Sequence, residues 1–184
     1  MHYIIDPPHV LQADVNLPAS KSISNRALII QALTPGAPTP FNLSDCDDTR
    51  VLKDALRLLP SHIDIGPAGT AMRFLTAYLA ITPEEHTLTG SERMRQRPIG
   101  QLVDALRLLG AEIAYEGEEG FPPLRITGKP IMGGTIEMAG DISSQFVTAL
   151  LLIAPVMEKG LTLHLQGRII SRPYIDMTLQ VMRS

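Results

Sequence analysis

The chain has 184 residues, 45% of them hydrophobic and 19% charged, which excludes a disordered polymer and fits one globular domain or slightly more. Sixteen Lys and Arg against 19 Asp and Glu leave a net charge of −3, which argues against a general nucleic-acid binder, and the single cysteine, Cys46, excludes an internal disulfide and suits a reducing cytoplasm. The longest apolar stretch, residues 149–157, falls well short of the ~20 that a membrane-spanning helix needs, and residues 1–8 lack the basic start and apolar run of a secretory leader.

In chain order, residues 23–33 have helical apolar spacing, with Ile23, Ala27 and Ile30 as the stripe. The proline-rich loop 34–40 cannot continue that helix and leads into a short extended run at 41–43. Residues 49–59 read as a second helix. Asp45, Asp47 and Asp48 just before it resemble an acidic metal cluster, but N-capping is the better reading. An extended piece at 63–65 follows, then a helix at 71–81, a strand at 87–89 and a helix through 104–109. Two extended segments, 113–115 and 124–127, flank a polar excursion that reads as a hairpin tip. The chain goes on with an extended piece at 135–138, a helix at 146–157, a strand at 161–165 and helical spacing over 174–182.

Asp54-Ala55-Leu56-Arg57-Leu58-Leu59 recurs letter for letter at positions 104–109, and the surroundings recur with it. Each unit reads helix, strand, helix. Such a period marks repeated supersecondary units that bury their apolar faces against one another. The expectation is an α/β fold of three related units, about 17–66, 67–139 and 140–184. The last unit stops in the body of an apolar helix at Met182-Arg183-Ser184, so it reads as truncated, in a piece of a longer protein.

The first helix of each unit opens with small, polar or cationic residues. The three starts are Ser20-Lys21-Ser22-Ile23-Ser24-Asn25-Arg26, Gly66-Pro67-Ala68-Gly69-Thr70-Ala71-Met72-Arg73 and Gly140-Asp141-Ile142-Ser143-Ser144-Gln145. A helix start offers free N–H groups and about half a positive charge, so with cations, hydroxyls and a close backbone it suits phosphate or carboxylate. Any one start is better read as plain N-capping. Three equivalent starts, packed about a common axis, point to one anion site. Arg93, Arg95 and Arg97 add guanidinium forks, at least one of them a solvated group. Ser171-Arg172-Pro173-Tyr174 holds the matching place in the third unit, where Tyr174 either meets a ring-shaped ligand or staples the helix. His2, His9, His62, His86 and His164 show no metal spacing, and no phosphate loop or dinucleotide fingerprint is present.

Four segments, Leu17-Pro18-Ala19-Ser20-Lys21-Ser22-Ile23-Ser24-Asn25-Arg26, Ala68-Gly69-Thr70-Ala71-Met72-Arg73, Arg95-Gln96-Arg97-Pro98-Ile99 and Ser143-Ser144-Gln145, resemble in order the signatures of the EPSP synthase family of enolpyruvyl transferases. Ser171-Arg172-Pro173-Tyr174-Ile175-Asp176 resembles a fifth. The sister transferase of cell-wall synthesis usually has Lys-Asn where this chain has Lys21-Ser22. The resemblance implies an inside-out α/β barrel domain of three βαβαββ-like units. It also implies transfer of the enolpyruvyl group from phosphoenolpyruvate to the 5-hydroxyl of shikimate 3-phosphate, in cytoplasmic aromatic amino-acid biosynthesis. By the family pattern Lys21 touches both substrates and is the catalytic contact. Ser22, Arg26, Ser143, Ser144, Gln145, Ser171 and Tyr174 join it on shikimate 3-phosphate. Gly69, Arg97 and Gln145 join it on phosphoenolpyruvate, with Thr70 and Arg73 as neighbours.

No metal or organic cofactor, nucleic acid or membrane is implied, and the full-length enzyme is expected to be a monomer. Family members have two domains, and the second supplies the acid–base carboxylates. Residues 1–16 are expected to belong to that second domain, so the chain alone is expected to be inactive and able to self-associate. Pro67 departs from a frequent Asn, and Arg172 from a frequent Lys. The alternative is a non-catalytic phosphometabolite-binding module on the same scaffold. Lys21→Ala and Arg26→Ala are expected to weaken anion binding while leaving stability nearly unchanged.

Overall fold

α1 (Lys21–Leu33) begins where the Ser20 hydroxyl accepts the Ile23 amide, and it stops at Thr34 before the proline-rich loop. Its buried face is not the expected stripe. Ile23 is 47% exposed, and Ser24, Asn25, Arg26, Leu28 and Ile29 turn inward instead. Apolar periodicity failed here because the inward polar side chains find partners, although the buried Asn25 Nδ2 has none. The Ser24 hydroxyl accepts from the Ser44 amide at 2.9 Å, Asn25 Oδ1 accepts from the Thr49 hydroxyl at 2.8 Å, and Arg26 donates to four acceptors.

This computed structural model describes residues 2–4, 6–8, 10 and 12–184. Met1, Ile5, His9 and Leu11, within the expected 1–16 segment, lie outside the described residues. The described residues before α1 include no helix or strand.

The expected strand at 41–43 does not form. Asn42 takes a left-handed φ of 53°, which breaks an extended run, and Phe41 is 94% exposed with no strand beside it among the described residues. α2 (Asp47–Leu58) follows, with Cys46 at its N-cap position and no side-chain cap bond. The aspartates therefore do not cap it. Asp47 and Asp48 sit in the first turn, where the helix dipole favours negative charge, and pair with Arg50 and Lys21. Among the described residues no group of three or more His, Cys, Asp or Glu could hold a metal ion.

β1 (His62–Asp64) leads to α3 (Gly69–Ile81), then β2 (Glu84–Thr89), the one-turn α4 (Glu92–Arg95) and α5 (Gly100–Leu108). β3 (Glu112–Tyr115) and β4 (Leu124–Gly128) form the expected antiparallel hairpin. β5 (Gly134–Ala139), α6 (Ser144–Ile153) with a single 3₁₀ turn, β6 (Leu161–Gln166) and α7 (Arg172–Arg183) complete the described chain. The first sheet runs β1-β2-β4-β3, with β1 and β2 parallel and Ile63 opposite Leu88. The second pairs β5 with β6 in parallel, Ile136 opposite Leu163. Alternating helices and sheets make the fold α/β.

α3 is the centre. Every residue from Gly69 to Ala80 is buried, and the helix packs against α1, α2, α5 and α6. Its Phe74, Leu75 and Leu79 are at most 1% exposed, and each such side chain contributes about 1.5–3 kcal/mol by leaving water. At its far end β4 approaches so closely that a Cβ on Gly128 would collide with the Thr82 carbonyl, so this contact requires glycine. Two rings link the helices in series. The Arg26 guanidinium of α1 lies over Phe74 of α3 at 5.8 Å, and that of Arg73 on α3 lies over Phe146 of α6 at 5.9 Å.

Candidate functional site

The starts of α1, α3, α6 and α7 meet around a cavity of about 350 Å³. Lys21, Ser22 and Arg26 line it from α1, Thr70 and Phe74 from α3, and Ser143, Ser144 and Gln145 from the start of α6. Ser171 and Tyr174 close it from α7, with Ile142 and Ile170 as apolar wall. Residues separated by up to 153 positions thus share one hollow, and every residue assigned by resemblance to shikimate 3-phosphate lies on its lining.

Their side chains differ in how far they are already committed. The Ser143 hydroxyl caps α6, accepting the Gln145 amide at 3.3 Å. Gln145 Nε2 donates to the Thr70 hydroxyl at 3.3 Å and so joins α6 to the start of α3. Ser171 stands at the N-cap position of α7 but makes no side-chain cap bond. Tyr174 is 48% exposed, while its carbonyl accepts hydrogen bonds from Arg26 and Thr178. Lys21 Nζ reaches Asp48 Oδ2 at 3.3 Å in a half-exposed pair.

Arg26 is only 4% exposed, and no carboxylate pairs with it among the described residues. Its Nε donates to Thr178 Oγ1 at 2.8 Å and Nη1 to the Ser22 carbonyl at 2.8 Å. Nη2 donates to Thr148 Oγ1 at 3.2 Å and to the Tyr174 carbonyl at 3.3 Å. Burial holds this guanidinium below its usual pKa, opposed by the nearby Tyr174. The expectation that Arg26→Ala leaves stability unchanged is corrected here, because truncation would strand buried acceptors on three helices.

A second hollow of about 470 Å³ opens beside the first turn of α3, lined by Pro67, Ser91, Arg93, Met94 and Arg97. A Cβ on Gly69 would overlap the Arg97 guanidinium, so the glycine lets that cation lie against the helix start. Beneath it Arg73, 4% exposed, donates to the carbonyls of Gly69 and Pro98, both at 3.2 Å, and to the Met94 sulfur at 3.4 Å. Burial, then the Arg97 charge, push Arg73 down to about 10, which leaves it a cation at neutral pH. Arg93, Arg95 and Arg97 are all exposed; Arg95 is absent from the lining of both hollows. Gly69 and Thr70, consecutive in the chain, connect the two hollows.

Sequence reasoning overlooked Asp48 as the partner of Lys21, and Thr148 and Thr178 as the acceptors of Arg26. A signal existed for the threonines. Thr148 lies four residues after Ser144 and Thr178 four after Tyr174, so each shares a helix face with a candidate.

The arrangement is a concave surface with two buried cations that no carboxylate pairs with among the described residues, an exposed cation at each mouth and several hydroxyls, suited to a ligand with more than one anionic group. The sequence model of "EPSP synthase (3-phosphoshikimate 1-carboxyvinyltransferase)" matches residues 5–63 and 59–184. A 3-phosphoshikimate 1-carboxyvinyltransferase of Bacteroides fragilis is 58% identical over 183 residues, covering 100% of this chain and 45% of that protein. The enzyme of the same name from Shewanella halifaxensis is 43% identical, covering 97% of this chain and 48% of its own length. A solved EPSP synthase from Acinetobacter baumannii superposes with a TM-score of 0.72 at 25% identity, over 84% of this chain and 41% of that one. The chain thus spans less than half the length of these relatives.

Proposed function

Because this chain belongs to the EPSP synthase family, we propose that it forms the anion-binding half of an enzyme that transfers the enolpyruvyl group of phosphoenolpyruvate to the 5-hydroxyl of shikimate 3-phosphate. Products are 5-enolpyruvylshikimate 3-phosphate and phosphate. The observation that carries this reading is the single cavity lined by Lys21, Ser22, Arg26, Ser143, Ser144, Gln145, Ser171 and Tyr174, with a buried and unneutralised guanidinium in its wall.

In this reading those eight residues receive shikimate 3-phosphate. Ser22, Ser144 and Ser171 offer hydroxyls, Tyr174 flanks the ring, and Arg26 supplies a fixed positive charge. Phosphoenolpyruvate occupies the neighbouring hollow next to Gly69 and Arg97, with Arg73 and Thr70 beside it and Gln145 and Lys21 reaching both ligands. The reaction protonates the enol carbon, joins the hydroxyl to the neighbouring carbon as a tetrahedral intermediate, and eliminates phosphate. The tetrahedral intermediate gathers the carboxylate and phosphate charges of both substrates between the hollows. Cations already held in position stabilise that charge without reorganising, and two oriented substrates avoid the entropy of a bimolecular encounter. Lys21 must exchange its contact with Asp48 for the ligands.

We further propose the three-unit inside-out barrel for residues 17–184, supported by the serial seating of Arg26 on Phe74 and Arg73 on Phe146. Residues 1–16 are assigned to a second domain that supplies the acid–base carboxylates, in a monomeric cytoplasmic enzyme.

The test is phosphate release from the two substrates by the longer protein that carries this chain, compared with the isolated chain. Turnover is expected from the first and none above trace from the second. Tight binding of shikimate 3-phosphate by the longer protein with no turnover would favour a non-catalytic binding module instead. Failure to bind either substrate would overturn the site.

A further inference from the structure

Arg26 is a buried cation held by uncharged groups alone, and the protons around it can be assigned completely. The Thr178 hydroxyl donates to the Tyr174 carbonyl at 2.7 Å, so its lone pairs accept Arg26 Nε at 2.8 Å and the Thr148 hydroxyl at 3.1 Å. Thr148 has then given its proton to Thr178, and its oxygen accepts Arg26 Nη2 at 3.2 Å. Both threonines are 0% exposed. They come from α6 and α7, while the arginine belongs to α1.

Burying an ion without a counter-ion costs several kcal/mol, and an apolar side chain at position 26 would fill the space more cheaply. A carboxylate at either threonine position would remove the penalty. It would also cancel the charge on the cavity wall, where Arg26 Nη1 has a second N–H beyond the one given to Ser22. We propose that Thr148 and Thr178 are positioning residues that hold Arg26 with uncharged acceptors, keeping its charge for the anion in the cavity and fixing the first turn of α7 beside it. The inference rests on the assignment of that cavity to shikimate 3-phosphate. The threonines touch no ligand. They act through Arg26 and through the Tyr174 carbonyl that both Arg26 and Thr178 bind.

The experiment uses the longer protein that carries this chain, with shikimate 3-phosphate as probe and phosphoenolpyruvate as internal control, in calorimetry, steady-state kinetics and thermal melting. Thr178→Val should weaken shikimate 3-phosphate about tenfold, the scale of one hydrogen bond to a charged group. The KM for that substrate should rise while kcat and the phosphoenolpyruvate constants stay within about twofold, and Thr178→Ser should restore binding. Thr148→Asp places a carboxylate on Arg26. It should bind the probe more than tenfold more weakly while melting no lower than Thr148→Asn, a divergence that a purely structural role would not produce. Equal probe binding by wild type and Thr148→Asp overturns the proposal and leaves the cavity assignment standing. So does a Thr178→Val variant that melts normally and binds normally. A wild-type protein that does not bind the probe overturns the assignment and this inference with it. If Thr178→Val fails to fold, Thr148→Asp decides the matter.

Discussion

Arg26 and Arg73 are both about 4% exposed, both lie over a phenylalanine ring and both lack a carboxylate partner among the described residues. They are held in opposite ways. Arg73 uses nearby chain, with acceptors at Gly69, Met94 and Pro98, no more than 25 positions away. Arg26 draws on Thr148, Tyr174 and Thr178, between 122 and 152 positions away. One half of the site is thus set by α3, α4 and the turn between α4 and α5. The other exists only once α1, α6 and α7 have met. A cation can be buried by either route, but the long-range route makes anion binding report on tertiary assembly.

The largest test of that contrast is Arg26→Ala. It removes four hydrogen bonds that span three helices and should cost about 2–4 kcal/mol in urea unfolding. A loss below about 0.5 kcal/mol, the range of ordinary surface changes, would break the comparison. Gly69→Ala should do the reverse. The new methyl displaces only the exposed end of Arg97, so stability should hold, while phosphoenolpyruvate affinity in the longer protein falls about tenfold by loss of a charge-assisted contact. Unchanged affinity in a calorimetric titration would remove Arg97 from that half. The smallest effect is expected from Asp48→Asn. It releases Lys21 from a half-exposed pair worth under about 1 kcal/mol. Inorganic phosphate should then bind about two- to threefold more tightly at low salt, a gain that salt should erase; tighter binding that persists in high salt would mean the pair is not what restrains Lys21.

The same contrast explains what the sequence disclosed. Most elements follow from apolar spacing and turn residues, including the β3–β4 hairpin and the twin helices that carry the repeated six residues. The local half of the site was legible for the same reason, since Gly69, Thr70 and Arg73 share one helix start. What escaped depends on partners in other elements of the fold. The inward face of α1 includes Ser24, Asn25 and Arg26, which departs from the expected stripe, and bonds with Ser44, Thr49, Thr148, Thr178 and the Ser22 and Tyr174 carbonyls make that burial tolerable. Residues 41–43 look extended by composition, but a strand needs a neighbour and none lies beside them among the described residues. The Asp48–Lys21 pair joins two helix starts that no spacing rule connects.

α3 has no solvent-facing side from Gly69 to Ala80. A helix of this kind offers drift no neutral positions. A larger residue there must displace α1, α2, α5, α6, β2 or β4, and a smaller one leaves a void between them. Its sequence can change over generations only in step with compensating changes on those neighbouring elements. The record of such paired changes in related chains should therefore be densest around this helix and thinnest on the outer faces of α2 and α5.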